Sequence, residues 1–179
     1  GQILFFDDDF GASAELFGSA LAGATQLPPS ARSQLLDWWA QALDREQPSI
    51  AVIYEDSFNY LSKMCLLRMR QAATTMIAAA QERGIPVVVA GSDATDHPEL
   101  YLDAGAELVI LGEGEQTLLD ILAVLSGRSA KCFREIPGLC LRSDAGQLIR
   151  AAPRDPMREL DGLPRPAWDL VDVERYRAI

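Results

Sequence analysis

Residues 85–117 read IPVVVAGSDATDHPELYLDAGAELVILGEGEQT. Two short apolar runs stand out, 86–90 (PVVVA) and 108–111 (LVIL). Both are shorter than a typical helix and rich in β-branched residues, so each predicts a strand buried on both faces. Each ends in a glycine-bearing loop that leads to a helix start. Two such loops at the carboxyl ends of neighbouring parallel strands form the rim of a ligand crevice in a doubly wound sheet.

The same alternation extends outward in both directions. Upstream, 50–54 (IAVIY) predicts another buried strand, ended by Glu55-Asp56-Ser57. A long helix over 61–83 follows, with Gly84 as its left-handed cap. Further upstream, Leu35, Leu36, Trp39, Ala42 and Leu43 share one face of a helix over 31–46, with Ser30 as N-cap and Pro48 as its stop. Residues 2–6 (QILFF) predict a strand ending at Asp7-Asp8-Asp9, and 14–22 a short helix. Pro98 suits the first turn of a short helix capped by Asp96 or His97 and ended by Gly105. A helix over 116–125 closes at Gly127.

Beyond it the pattern changes. Residues 136–142 and 147–151 flank Asp144-Ala145-Gly146, a hairpin signal. Pro153, Pro156, Pro164 and Pro166 then mark an extended linker over a surface. The expected fold is α/β: a flavodoxin-like or Rossmann-like doubly wound parallel sheet with a C-terminal β-hairpin and a Pro-rich linker. The expected divisions are 1–128, 129–152 and 153–179.

The 179 residues carry a net charge of −10. That argues against nucleic acid and anionic membranes as partners, since both need a basic footprint. No apolar run approaches the roughly 20 residues that span a bilayer. The start lacks the basic segment of a signal peptide, so the cytoplasm is the expected compartment. Cys65, Cys132 and Cys140 are too scattered for a disulfide framework or a zinc site.

Few residues suit acid–base chemistry. Gly91 allows close approach of a ligand, and Ser92 and Thr95 can exchange hydrogen bonds with it; a loop that only caps the next helix would look the same. In Gly112-Glu113-Gly114-Glu115 two glycines permit a tight path with exposed amides. Capping by Glu115 and Thr117 would account for Glu115 but not for both glycines. Acidic strand ends at Asp7–Asp9 and Glu55-Asp56 suit magnesium or plain solvation. His97 is the sole histidine, so the chain cannot supply a two-His metal site, and a Ser–His hydrolase is poorly supported. No nucleophile elbow or phosphate loop is present. Met64, Met69 and Met76 read as core filler.

Taken together, the string from AGSDAT through Pro98-Glu99 to LVILGEGEQT resembles the cobalamin-binding domain of cobalamin-dependent radical S-adenosylmethionine enzymes. That family shows Gly-Gly-x-His-x-Thr, then Pro-Glu, then a strand ending in Gly-Glu-Gly-Glu-x-Thr. An Ile-Pro-Gly-Leu strand and a Leu-Asp-x-Leu-Pro-x-Pro linker follow. Ile136-Pro137-Gly138-Leu139 and Leu160-Asp161-Gly162-Leu163-Pro164-Arg165-Pro166 match in order. The resemblance covers 50–179 well and 1–49 loosely. Two positions depart: Ala90 stands for the first glycine and Asp93 for the histidine.

The resemblance implies base-off cobalamin with no protein histidine on cobalt, lying over the strand ends. The implied binding residues are Ser57, Gly91, Ser92, Asp93, Thr95, Gly112, Glu113 and Gly114, with no catalytic or metal-ligating residue. It also implies a first βα unit preceding residue 1. A radical domain in cis, carrying S-adenosylmethionine and a [4Fe-4S] cluster, would follow this chain. The full protein would perform methyl transfer or cyclase-like radical chemistry, while this portion binds and does not catalyse. Two rival readings stand beside this one. A signalling receiver would use Asp8, Asp9, Asp56 and Ser92. A degenerate interaction module would keep the fold without the cofactor.

Overall fold

The computed structural model describes residues 2–6, 29–55, 66–159 and 161, with backbone alone for 2–6 and 29–35. The predicted helix over 14–22, the acidic run Asp7–Asp9, and Asp56, Ser57, Met64 and Cys65 lie outside the described residues. So does the linker at 160 and 162–179.

At the centre are three parallel strands, β2 (Ile50–Tyr54), β3 (Val87–Ala90) and β4 (Leu108–Ile110). β1 (Gln2–Phe6) pairs antiparallel with β2. On the other side β5 (Leu139–Arg142) pairs antiparallel with β4, and β6 (Leu148–Arg150) with β5. The six-stranded sheet runs in sequence order, β1 to β6. It is therefore an open Rossmann-like sheet, parallel only in its middle. The hairpin signal is met: Ser143 N–H donates to Gln147 O at 2.8 Å across the turn.

Alternation along the buried strands sends side chains to two cores. Ala51, Ile53, Val87, Val89 and Val109 face α1 (Pro29–Glu46), α2 (Leu66–Gln81), α3 (Ser92–Asp96) and α4 (Pro98–Asp103). Val52, Val88, Ala90, Leu108 and Ile110 face α5 (Glu115–Leu125). Continuous apolar strands fit because both faces are covered. The largest of these side chains are sealed from water, each stabilising by about 1.5–3 kcal/mol.

Several boundaries differ from expectation. α1 begins at Pro29, ahead of the expected Ser30 cap; proline is tolerated there because the first turn has no carbonyl to pair with its missing N–H. Residues 92–96 form a turn of helix where a loop was expected. His97 precedes α4, and Gly114 precedes α5, without a side-chain cap in either case. Thr117 is sealed in the core, and its hydroxyl donates to Pro137 O at 3.1 Å rather than capping α5. Cys140 is buried and Cys132 exposed.

Candidate functional site

The carboxyl ends of β2, β3 and β4 lie side by side, so Glu55, the Gly91 turn and the Gly112 turn meet at one edge. Thr95 joins the two glycine turns. Its hydroxyl donates to Gly91 O at 2.8 Å and accepts from Gly112 N–H at 3.0 Å. One hydroxyl thus bonds a backbone group in each loop; the Gly91 carbonyl also accepts from Thr95 N–H at 2.9 Å.

Gly91 has a φ of 154°, which side chains rarely adopt, and a Cβ there would lie 2.7 Å from Glu55 Cβ. Gly112 also has positive φ, but a Cβ on it would meet nothing within 4 Å. The first glycine lets the chain pass over Glu55; the second leaves bare backbone at the rim. Gly114 is buried against the Tyr54 ring. Burial, with Glu115 nearby, pushes the Tyr54 hydroxyl up to about 12, so it stays a neutral phenol.

Asp93 is 2% exposed, and its carboxylate faces inward. Arg70 grips it with both ends of its fork, Nε to Oδ2 at 2.6 Å and Nη2 to Oδ1 at 2.5 Å. Tyr101 donates its hydroxyl to Oδ2 at 2.6 Å. Burial alone would raise Asp93, but the Arg70 and Tyr101 bonds hold it below the usual carboxylate range.

Glu55, 9% exposed, lies close enough to feel Asp93. Burial, then Asp93, raise its carboxyl above the ordinary value. A raised carboxyl contributes stability below its unfolded pKa and loses it as pH rises through the folded one. Glu55→Gln is therefore expected to melt higher than the parent chain at pH 7, with the gain gone at pH 4. Thermal melts at the two pH values check this.

The structure brings Gly91, Thr95 and Gly112 together and places half-buried Ser92 beside them. Asp93 is turned away, into the α2 side. Glu113 is exposed, and its carboxylate accepts from Met157 N–H at 2.9 Å. Ser57 lies outside the described residues. Arg70, Tyr101, Tyr54 and Arg154 were not singled out in the sequence. The one signal was Asp93 itself, because a carboxylate expected between buried strands and a helix needs a cation. Among the described residues no group of three His, Cys, Asp or Glu side chains could hold a metal ion. None of the described helices is long and apolar enough to cross a membrane.

No protein-family model matches the chain. An uncharacterized methyltransferase of Pyrococcus horikoshii is 31% identical over 105 residues, 57% of this chain and 22% of the relative. The fold is also similar to the radical S-adenosylmethionine methyltransferase TsrM from Kitasatospora setae, solved with cobalamin and a [4Fe-4S] cluster. The TM-score is 0.49 at 21% identity, covering 77% of this chain and 24% of that one. The cobalamin-dependent S-adenosylmethionine radical enzyme OxsB gives a TM-score of 0.47 at 17% identity, covering 68% of this chain and 16% of that one. The chain is similar to cobalamin-dependent radical S-adenosylmethionine enzymes. It spans about a fifth of the length of the curated relative it matches.

Proposed function

We propose that this chain is a cobalamin-binding module, and that the protein to which it belongs is a radical S-adenosylmethionine enzyme that transfers methyl groups. The observation that carries the reading is the Thr95 bridge. It holds two glycine turns, on adjacent parallel strand ends, in one fixed rim. Four motifs in family order and the methyltransferase relative support it.

The residues fit such a ligand. Cobalamin, when bound, supplies the group-transfer chemistry. The chain's share is to bind and orient. Bare backbone at Gly112 admits a flat ring edge, and the Ser92 hydroxyl can meet an amide side chain. No imidazole stands on either glycine turn, and His97, the only histidine of the chain, is exposed beyond α3. A cobalamin held here would receive no histidine from the turns, and base-off binding is what the family resemblance implies. S-adenosylmethionine and the iron–sulfur cluster would belong to a radical domain in cis.

Thr95→Val removes the bridge while keeping the shape of the side chain. It is expected to weaken hydroxocobalamin binding about tenfold, since the Gly112 amide loses its partner and the two turns lose the bond that links them. A visible-spectrum titration checks this; unchanged affinity would contradict the role given to the rim. The inward turn of Asp93 favours a second reading, a module that keeps the fold without the cofactor. A folded chain that ignores cobalamin would select it.

A further inference from the structure

Residues 151–157 follow β6 and run back over the start of α5 as a strap. Ala152 O accepts from Gly138 N–H at 2.8 Å. Arg154 then turns inward, with its side chain 18% exposed. Its Nε donates to the sealed Thr117 hydroxyl at 2.8 Å and to Pro137 O at 3.3 Å. Its Nη2 pairs with Asp120 on α5. Three residues on, Met157 N–H donates to Glu113, inside the second glycine turn.

The strap and the turn border an open cleft of about 230 Å³ lined by Glu113, Glu115, Gln116, Arg154, Asp155 and Met157. That is below the range of ordinary ligand pockets, so this contact braces the rim rather than forming the ligand site.

We propose that Arg154 is a positioning residue for the Gly112–Gly114 turn. Its fork fixes the strap on α5 and Pro137, and the strap fixes Glu113 through Met157 N–H. The consequence for cobalamin rests on the function proposed above: ligand affinity and the path of the chain beyond β6 are mechanically linked. Glu113 then serves the site from behind, by holding the strap, and not as a ligand contact.

Amide hydrogen exchange on the whole chain tests this without any ligand. Arg154→Met is expected to speed exchange about tenfold or more at the Gly112 amide as well as at the Met157 amide, with β3 unchanged. Arg154→Lys keeps the charge facing Asp120 but not the fork, and recovers only part of the protection. Faster exchange confined to the Met157 amide, or none, overturns the proposal. If Arg154→Met opens β3 as well, Glu113→Ala cuts the same link at its far end and must free the Met157 amide while β3 stays protected; unchanged exchange there overturns the proposal.

Hydroxocobalamin titration of the same proteins separates this from the proposed function. Faster exchange at both amides, with no cobalamin taken up by the parent chain, leaves the positioning role standing and removes the cobalamin reading. Cobalamin binding with unaltered exchange at the Gly112 amide in Arg154→Met does the reverse.

Discussion

Arg70→Met is expected to cost about 3 kcal/mol of folding stability at pH 7, because it strands a buried carboxylate. Asp93 is 2% exposed, and Arg70 supplies two of its three hydrogen bonds. Tyr101 remains, but a phenol cannot neutralise a charge. The sign with pH follows from the lowered carboxyl of Asp93. Stability from a lowered carboxyl is present above its unfolded pKa and is lost as pH falls through the folded one. The penalty of Arg70→Met should therefore shrink toward pH 3, where Asp93 takes up a proton without its partner. Adding Asp93→Asn to Arg70→Met should recover much of the loss at pH 7, since the amide carries no charge to desolvate. Urea unfolding at pH 7 and pH 3 measures all of this. Arg70→Met as stable as the parent chain at pH 7 would show that the pair contributes nothing.

Gly91→Ala is expected to be the most damaging change at the rim. Its Cβ would sit 2.7 Å from Glu55 Cβ and 2.9 Å from Glu55 Oε2, at a φ of 154°. Glu55 Cβ sits on backbone just past β2, held by Glu55 N–H donating to Ala90 O at 2.8 Å, and cannot swing aside, so the turn itself must move. Strain of this kind costs about 1–3 kcal/mol from the backbone, with overpacking added. Moving the turn breaks the Thr95 bridge, so cobalamin affinity should fall about a hundredfold or more. Gly112→Ala is the control. Its positive φ costs about 1–2 kcal/mol but its Cβ meets nothing within the protein. It should lose binding with a smaller loss of stability. Melting temperature and cobalamin titration on the two variants separate these effects. Equal behaviour would contradict the distinct roles given to the two glycines.

The central strands were legible in the sequence because burial on both faces leaves continuous apolar runs, and IAVIY, VVVA and LVI carry little else. Gly84 and Gly127 marked helix ends because each takes the positive φ that glycine tolerates. Strand direction at the edges was not legible. Nothing in QILFF or LCLR distinguishes a parallel from an antiparallel partner, and both pair antiparallel. At the site, Gly91, Thr95 and Gly112 could be picked out because they follow strands. Their mutual arrangement rests on a hydroxyl reaching 17 positions along the chain, which no local pattern encodes. Arg70 and Arg154 were missed for a related reason. Each is an ordinary arginine in its own segment, and its meaning comes from a carboxylate 23 or 34 positions away. Asp93, read as a ligand contact by its place in the motif, spends its carboxylate on the protein.

The most direct measurement is a hydroxocobalamin titration of this chain, followed by visible spectrum and by gel filtration. The account predicts one cobalamin retained per chain, with a base-off spectrum that Gly91→Ala abolishes. A folded chain that elutes free of cobalamin would contradict it.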